Sequence, residues 1–259
     1  MIRNLSFQKT DGKMIHGRLY LPDSEKKCPI VIFSHGFGSD YRELEHYGPK
    51  FIQEGQAMLL FDFCGGGPRT TSDGSMGEMS VLTETEDLLT VIDAICDRKN
   101  PDMQGIDTDN IFLMGESQGG YVSALAASKL PDKIRGLILW YPSFVIEEVA
   151  KEELRTGHSI TNDIFGIRVG KLYDEDAASV KIYKEVQKFE RNVLIIHGTD
   201  DSIVPVAYSE KAHQIYKHAD LYVVPGAGHG FEGPDCRKIG KLSAEFVKQN
   251  LWGIKPQMI

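Results

Sequence analysis

The sequence lacks any hydrophobic run long enough to cross a membrane. Its longest uninterrupted apolar stretches are five residues, at Ala57–Phe61 and Leu137–Tyr141, whereas a membrane helix needs about 20. Met1–Lys13 also lacks the apolar core of a secretory signal. We therefore expect a cytoplasmic protein that has no membrane as a partner.

Positive charge and cysteine are also scarce. The chain has 29 Lys and Arg against 37 Asp and Glu, a formal net charge of −8, and such a field repels phosphate backbones. We therefore expect no nucleic-acid partner. The four cysteines are far apart and form no CxxC pair, so the sequence predicts reduced thiols rather than a zinc site or a disulfide framework.

Signals for a bound cofactor are missing as well. The run Gly65-Gly66-Gly67-Pro68 resembles a phosphate loop only in its glycines, because no Lys-Ser/Thr pair follows it. The nearby acids Asp62, Asp73 and Glu78 lack the spacing of a metal-ligand set. We predict neither a cofactor nor a metal ion.

What the sequence does contain is an alternation of apolar, β-branched runs with stretches of helical periodicity. The runs are Ile30–Phe33, Ala57–Phe61, Ile111–Met114, Leu137–Trp140 and Val193–Ile196. Short runs of this kind, apolar on both faces, are typical of buried parallel strands. The sequence therefore predicts an α/β fold with a mostly parallel central sheet and helices on both faces. Asp11-Gly12 between two further runs predicts an antiparallel hairpin at the start.

One segment interrupts the alternation. From residue 142 to about 189 no strong strand pattern appears, and charged residues are mixed with scattered aromatics. Insertions of this kind usually lie over a functional edge of a sheet. We predict one domain, residues 1–259, with an inserted cap at about 142–189. The aromatics Phe144, Phe165 and Tyr173 are its candidate substrate contacts.

The strongest chemical motif is Gly115-Glu116-Ser117-Gln118-Gly119. It follows a predicted strand and opens a helical stretch, which is the setting of a nucleophile elbow. Flanking glycines let the backbone turn sharply and present the Ser117 hydroxyl at a helix N-terminus. The alternative is a glycine-rich turn with a helix-capping serine.

A serine nucleophile needs a base and an acid that orients the base. Where the serine lies on a nucleophile elbow, both of these residues follow it in the chain. His229 lies in the loop Gly226–Phe231, after the apolar run Leu221–Val224, and is the candidate base. The stretch after the strand that ends at Ile196 offers two adjacent acids, Asp200 and Asp201. The residues alone leave that choice open.

These motifs together resemble the α/β-hydrolase superfamily. The stretch from His197 to Pro205 is similar to the family's HG-x-x-D-x-x-V-P loop, and that register implies Asp201 as the acid. Ser34–Gly38 resembles the family's HG-x-G oxyanion loop, which implies the backbone N–H groups of Phe37 and Gln118 as the oxyanion hole. The resemblance implies an α/β-hydrolase fold and a catalytic triad of Ser117, Asp201 and His229.

Within that superfamily the chain looks most like small bacterial feruloyl and cinnamoyl esterases. The similar segments are Phe61-Asp62-Phe63, Ser72-Asp73-Gly74, Met79-Ser80-Val81 and Glu86-Asp87, with the insertion matching the lid of those enzymes. The resemblance implies hydrolysis of hydroxycinnamoyl or similar small esters through an acyl-enzyme. Glu116 departs from the pattern, since many relatives carry His there.

Two other functions stay open at this point. Prolyl-oligopeptidase-like serine peptidases share the elbow and the acid loop, and a non-catalytic ligand-binding member of the fold is the second alternative. The partner implied by the esterase hypothesis is a small-molecule ester. The sequence does not choose between a monomer and a homodimer.

The acid assignment generates a direct test. We expect Asp201→Asn to reduce kcat by about 10⁴-fold, the loss known for an amide in this position of a serine protease, because an amide favours the wrong histidine tautomer. Asp200→Asn is the matched control and should retain most activity. Ester turnover by both variants checks the assignment, and an inactive Asp200 variant beside an active Asp201 variant would contradict it.

Overall fold

The computed structural model describes residues 1–97, 99–157, 161–162 and 166–251. Apolar runs bounded by turns form the strands. They are β1 (Ile2–Gln8), β2 (Met14–Tyr20), β3 (Cys28–Ser34), β4 (Ala57–Phe61), β5 (Ile106–Glu116), β6 (Ile134–Trp140), β7 (Thr161–Asn162), β8 (Ile167–Arg168), β9 (Val193–Gly198) and β10 (Ala219–Val224).

The amphipathic stretches between the strands form the helices. They are α1 (Gly48–Gln53), α2 (Val81–Cys96), α3 (Ser117–Lys129), α4 (Ile146–Thr156), α5 (Lys171–Ser179), α6 (Ile182–Val186), α7 (Ala207–Ile215) and α8 (Gly233–Gln249), with 3₁₀ turns at Tyr41–Tyr47 and Pro101–Met103. The helical stretch that the serine motif was predicted to open begins at Ser117, so the nucleophile candidate is itself the first helical residue.

The main sheet has the order β1-β2-β4-β3-β5-β6-β9-β10. β1 and β2 form the predicted antiparallel hairpin, and β2 also pairs antiparallel with β4. From β4 across to β10 every pairing is parallel. The predicted fold class, a mostly parallel sheet within an α/β architecture, is confirmed.

Alternate residues of each central strand enter two separate cores. In β3, Ile30 and Ile32 pack into the core that contains the apolar faces of α2 and α3. Val31 and Phe33 point to the opposite face, where they pack with residues of α1 and α8. Because all four side chains are 0% exposed, the sheet is covered by helices on both faces, as its apolar strands predict.

The segment between β6 and β9 departs from the alternation of strands and helices. It contains α4, α5 and α6, together with the two-residue antiparallel pair β7 and β8. Two hydrogen bonds tie α5 to the rest of the molecule: the Ser80 hydroxyl donates to Asp176 at 2.5 Å, and the Tyr173 hydroxyl donates to Gln118 Oε1 at 2.5 Å. The assignment of residues 142–189 as a functional cap stays a prediction.

The parallel strands place their carboxyl ends at one edge of the sheet. β3 ends before the His35 loop, β5 ends at the nucleophile candidate, and β9 ends before Asp201. β10 is followed by the loop that carries His229. This edge is where open α/β sheets bind their ligands, and it brings together candidates that are far apart in the chain.

Candidate active site

Three side chains form a continuous hydrogen-bond chain at the carboxyl edge of the sheet. Ser117 Oγ lies 3.0 Å from His229 Nε2. His229 Nδ1 lies 2.8 Å from Asp201 Oδ2. An ionised carboxylate only accepts hydrogen bonds, so the network assigns the proton to Nδ1 and leaves Nε2 to accept the Ser117 hydroxyl. This is the arrangement that lets an imidazole take a proton from a serine.

The sharp turn at Ser117 depends on glycine at both flanking motif positions. Ser117 has φ of 51°, in the left-handed region, which costs an L-residue about 1–2 kcal/mol. A Cβ on Gly115 would lie 2.2 Å from the Gly119 carbonyl oxygen. A Cβ on Gly119 would lie 2.3 Å from the carbonyl oxygens of Ser34 and His35. Backbone packs directly on backbone here, which explains the GxSxG spacing.

Asp201 accepts hydrogen bonds from other groups besides His229. Its Oδ1 accepts from the backbone N–H groups of Ile203 and Val204 at 2.9 and 2.8 Å, and His197 Nε2 lies 3.2 Å from Oδ2. Burial by itself would raise the pKa of Asp201, but the hydrogen bonds from His197, His229 and Val204 outweigh it and hold that pKa well below its usual range. The carboxylate therefore stays charged beside the imidazole.

Asp200 occupies a different environment. It is exposed, and its Oδ1 accepts from the neighbouring Thr199 hydroxyl at 2.7 Å. Of the two adjacent acids, Asp201 is the one that contacts His229. The sequence patterns did not predict the contact of His197 with the acid.

The loop after β3 packs against the nucleophile. A Cβ placed on Gly36 would lie 3.4 Å from Ser117 Cβ. The buried His35 ring holds this loop: Nδ1 donates to the Gly36 carbonyl at 2.8 Å, and Nε2 accepts from the Phe63 N–H at 3.2 Å. Burial lowers the pKa of His35, which favours this neutral ring. Phe37, a predicted oxyanion donor, is the next residue.

Gln118, the other predicted oxyanion donor, lies in the first turn of α3, where backbone N–H groups have no partner within the helix. Its side chain is buried and joins two distant elements. Nε2 donates to Glu84 Oε2 at 2.8 Å, and Oε1 accepts from the Tyr173 hydroxyl of α5. Burial raises the pKa of Glu84 well above its usual range, against the opposing hydrogen bond from Gln118. Sequence reasoning missed Glu84.

A second hydroxyl, that of Ser143, lies beside the nucleophile. Ser143 Oγ is 2.9 Å from Ser117 Oγ, and the Ser143 N–H donates to the Ser117 carbonyl at 3.0 Å. Sequence reasoning missed this residue too. The available signal was its position in the turn after β6, because β6 pairs with β5 as far as Glu116 and the turn therefore starts near the elbow.

Glu116 immediately precedes the nucleophile in the chain. The Tyr141 hydroxyl donates to Glu116 Oε2 at 2.8 Å, and the Tyr141 ring packs edge-on against His229 with centroids 4.7 Å apart. Burial raises the pKa of Glu116, while the bond from Tyr141 opposes that shift. The departure from the family pattern is thus accommodated by a tyrosine that also supports the histidine.

The three aromatic residues predicted as substrate contacts have different positions. Phe144 is 1% exposed and packs between the rings of Tyr121 and Tyr183, so it is a core residue in this structure. The Tyr173 ring contacts that of Phe37, with centroids 5.9 Å apart. Phe165 lies outside the described residues.

The described residues show no sign of a metal site or of a membrane-spanning helix. Among the described residues no three His, Cys, Asp or Glu side chains cluster as metal ligands would. The four cysteines are free thiols. Within the same part of the chain, no helix has the length and apolar character needed to span a bilayer.

Comparison with known proteins identifies relatives of this arrangement. A family model described as serine aminopeptidase, S33 (Hydrolase_4) matches residues 25–166. Carboxylesterase 20 of Arabidopsis thaliana is 29% identical over 267 residues, covering 85% of this chain and 76% of that protein. Hydrolase LUC6 of a Fusarium species is 29% identical over 133 residues, 49% of this chain. For three curated relatives, the match spans only 28–39% of their own length.

A solved structure is similar over nearly the whole chain. Est1E from Butyrivibrio proteoclasticus, in a structure described as having ferulic acid bound, superposes with a TM-score of 0.81 and 25% identity. The superposition covers 94% of this chain and 98% of Est1E. A structure of DcsB with a substrate analogue has a TM-score of 0.79 at 19% identity, which speaks for the fold alone.

The buried Glu84 generates a pH-dependent prediction. Its folded-state pKa is raised, so between its ordinary value and the raised one the folded protein holds a proton that the unfolded chain releases. Stability therefore falls as pH rises through this window, by up to about 1.4 kcal/mol per pH unit. Glu84→Gln keeps the shape and cannot ionise, so we expect it to be more stable than the wild type at pH 8, with the difference shrinking towards pH 4.

Urea denaturation of both proteins across that pH range measures the difference. Asp87, whose pKa is also raised by burial, is present in both proteins. Glu86→Gln, at an exposed position on the same helix, is the matched control and should show no such trend. A Glu84→Gln difference that does not change with pH would contradict the expectation.

Proposed function

The chain belongs to the serine aminopeptidase S33 family of α/β-hydrolases, and from that membership we propose that Ser117, His229 and Asp201 are the catalytic triad of a carboxylic-ester hydrolase. The observation that supports the proposal most directly is the hydrogen-bond chain from Ser117 Oγ through His229 to Asp201. Nucleophile, base and orienting acid stand in hydrogen-bond contact in the order that acyl transfer requires.

In the acylation half-reaction, Ser117 Oγ attacks the ester carbonyl carbon while His229 Nε2 takes the hydroxyl proton. Asp201, whose pKa is held low, stabilises the imidazolium that forms. The backbone N–H groups of Phe37 and Gln118 donate hydrogen bonds to the tetrahedral oxyanion, and so act on charge that appears only in the transition state. The imidazolium then protonates the departing alcohol and leaves an acyl-Ser117 ester.

In the second half-reaction, water replaces the alcohol. His229 takes a proton from the water as the water oxygen adds to the acyl carbon, and the same two N–H groups donate hydrogen bonds to the second oxyanion. Collapse of that intermediate releases the carboxylic acid and regenerates Ser117. The close packing of the Gly36 loop against Ser117 supports this shared position of the oxyanion.

We propose a hydroxycinnamoyl ester, or a similar small aryl ester, as the substrate class. Two observations support it. Est1E, a structure of which is described as having ferulic acid bound, is similar over nearly the whole chain. The rings of Phe37 and Tyr173 also meet beside the oxyanion loop, where an aromatic acyl group would stack against apolar edges.

The family description keeps an aminopeptidase as the second candidate. Parallel assays on esters and on an aminoacyl amide would separate the two functions. We expect turnover of methyl ferulate and p-nitrophenyl acetate, and little turnover of an aminoacyl p-nitroanilide. Faster cleavage of the anilide than of either ester would favour the peptidase.

The nucleophile assignment has its own test. We expect Ser117→Ala to lose about 10⁶-fold in kcat, the scale seen when a triad serine is removed, while its thermal melting stays close to that of the wild type. A fluorophosphonate probe should label the wild type and not the variant. Turnover above a few per cent in Ser117→Ala, in protein free of contaminating esterase, would refute the assignment.

The substrate class is tested through Tyr173. We expect Tyr173→Leu, which removes the ring, to lower the kcat/KM ratio of methyl ferulate to methyl acetate by about ten-fold. Tyr173→Phe is the matched control: it removes only the hydroxyl that bonds Gln118, so it should slow both esters and leave their ratio unchanged. Equal ratios in all three proteins would contradict a role of this ring in acyl selection.

A further inference from the structure

We propose that the Ser143 hydroxyl is a further catalytic group, which donates a hydrogen bond to Ser117 Oγ and assists the departure of that oxygen when the acyl-enzyme is hydrolysed. Ser143 Oγ lies 2.9 Å from Ser117 Oγ, so it touches a reacting atom directly. This role rests on the proposed acyl-enzyme mechanism and adds a fourth side chain to the triad.

The direction of the hydrogen bond follows from the available protons. Ser117 has one hydroxyl proton, and that proton points to His229 Nε2 at 3.0 Å, because the other ring nitrogen already donates to Asp201. Ser117 Oγ can therefore only accept from Ser143. The Ser143 proton is not needed by the base and stays on Ser143 throughout the cycle.

The backbone around Ser143 is built to hold this contact. Its N–H donates to the Ser117 carbonyl at 3.0 Å, so the two serines are joined through main chain as well as side chain. Ser143 is only 5% exposed, and little water can compete for its hydroxyl. The pair is therefore fixed rather than formed by two freely rotating surface hydroxyls.

The turn that delivers Ser143 is strained. Tyr141 adopts φ of 35°, a region that bulky L-residues rarely occupy. Two contacts maintain it: the Tyr141 N–H donates to the Ile196 carbonyl at 2.7 Å, and its hydroxyl donates to Glu116. Such strain is retained where the surrounding structure over-determines it, commonly at functional sites. Here it directs the chain after β6 over the nucleophile elbow.

The chemical step is the collapse of the second tetrahedral intermediate. The bond between the acyl carbon and Ser117 Oγ breaks, and its electron pair moves to Oγ. His229 Nε2 returns to Oγ the proton that it took from water, while Asp201 keeps its charge. Ser143 transfers no proton; its O–H bond points at the oxygen on which negative charge develops. The products are the free carboxylic acid and Ser117 with its hydroxyl restored.

The two half-reactions should depend on Ser143 unequally. Before acylation, Ser117 Oγ is a hydroxyl oxygen and already accepts a full hydrogen bond, so the transition state gains little more. In the acyl-enzyme the same atom is the alkoxy oxygen of an ester, a weak acceptor, and it becomes a strong acceptor only as the bond breaks. An interaction that strengthens towards the transition state accelerates that step. Deacylation is therefore the step that Ser143 assists.

The experiment is pre-steady-state hydrolysis of p-nitrophenyl acetate by the wild type, Ser143→Ala and Ser143→Thr. We expect Ser143→Ala to deacylate about 10- to 100-fold more slowly, the range for losing a hydrogen bond to a charged group. Its acylation rate should change little, so that an initial burst of p-nitrophenol appears or grows. Ser143→Thr keeps a hydroxyl and should recover much of the deacylation rate.

Ser123→Ala is the matched control. Ser123 is a buried serine of α3 whose hydroxyl donates to the Met114 carbonyl at 3.2 Å, away from the reacting atoms, and its variant should show wild-type burst kinetics. Equal slowing of both steps in Ser143→Ala, or a deacylation rate equal to or above that of the wild type, would overturn the proposal. Fluorophosphonate labelling distinguishes a failure of the triad assignment from a failure of the Ser143 proposal. A wild type that does not label contradicts the triad. Normal labelling of Ser143→Ala shows that the triad is intact, so that any failure concerns Ser143 alone.

Discussion

The site depends on one steric constraint, the contact of backbone with backbone where β5 turns into α3. Gly119 lies so close to the loop after β3 that any Cβ there would overlap a carbonyl oxygen. This approach lets Ser117 adopt its left-handed conformation and stand at the start of a helix. It also brings Gly36 against the nucleophile. The nucleophile and the proposed oxyanion donors are thus positioned by a single close contact.

The electrostatics of the site follow from how fully Asp201 is satisfied. Its two oxygens accept from the backbone of Ile203 and Val204, and they face both His197 and His229. A buried carboxylate with so many donors stays ionised despite its burial. Its charge therefore holds the His229 imidazole in the tautomer that carries the proton on Nδ1. The pKa of Glu84 shifts in the opposite direction: Glu84 is buried with a single amide donor, and its pKa is raised.

The sequence predicted correctly those structural elements that depend on a pattern of consecutive residues. The parallel strands, the Asp11-Gly12 hairpin and the elbow at Ser117 each depend on a local pattern, and the structure has all of them. It failed for contacts between residues distant in the chain. Ser143 and Glu84 reach the site through tertiary packing alone, and a serine or glutamate within an ordinary run carries no periodic signal. Phe144 was predicted to contact the substrate but is buried in the core. No local pattern distinguishes an aromatic residue of the core from one that lines a binding site.

The network around Gln118 links the segment after β6 to the catalytic atoms. Tyr173 of α5 donates to the Gln118 side chain, which in turn donates to Glu84, while the Gln118 backbone N–H is the proposed oxyanion donor. Buried polar groups whose bonds are all made are rigid, and loss of one partner is costly. Under the proposed mechanism, an acyl group that contacts the Tyr173 ring therefore acts on the residue that also stabilises the oxyanion. Acyl recognition and transition-state stabilisation then depend on the same residue of α5, the first on the ring of Tyr173 and the second on its hydroxyl.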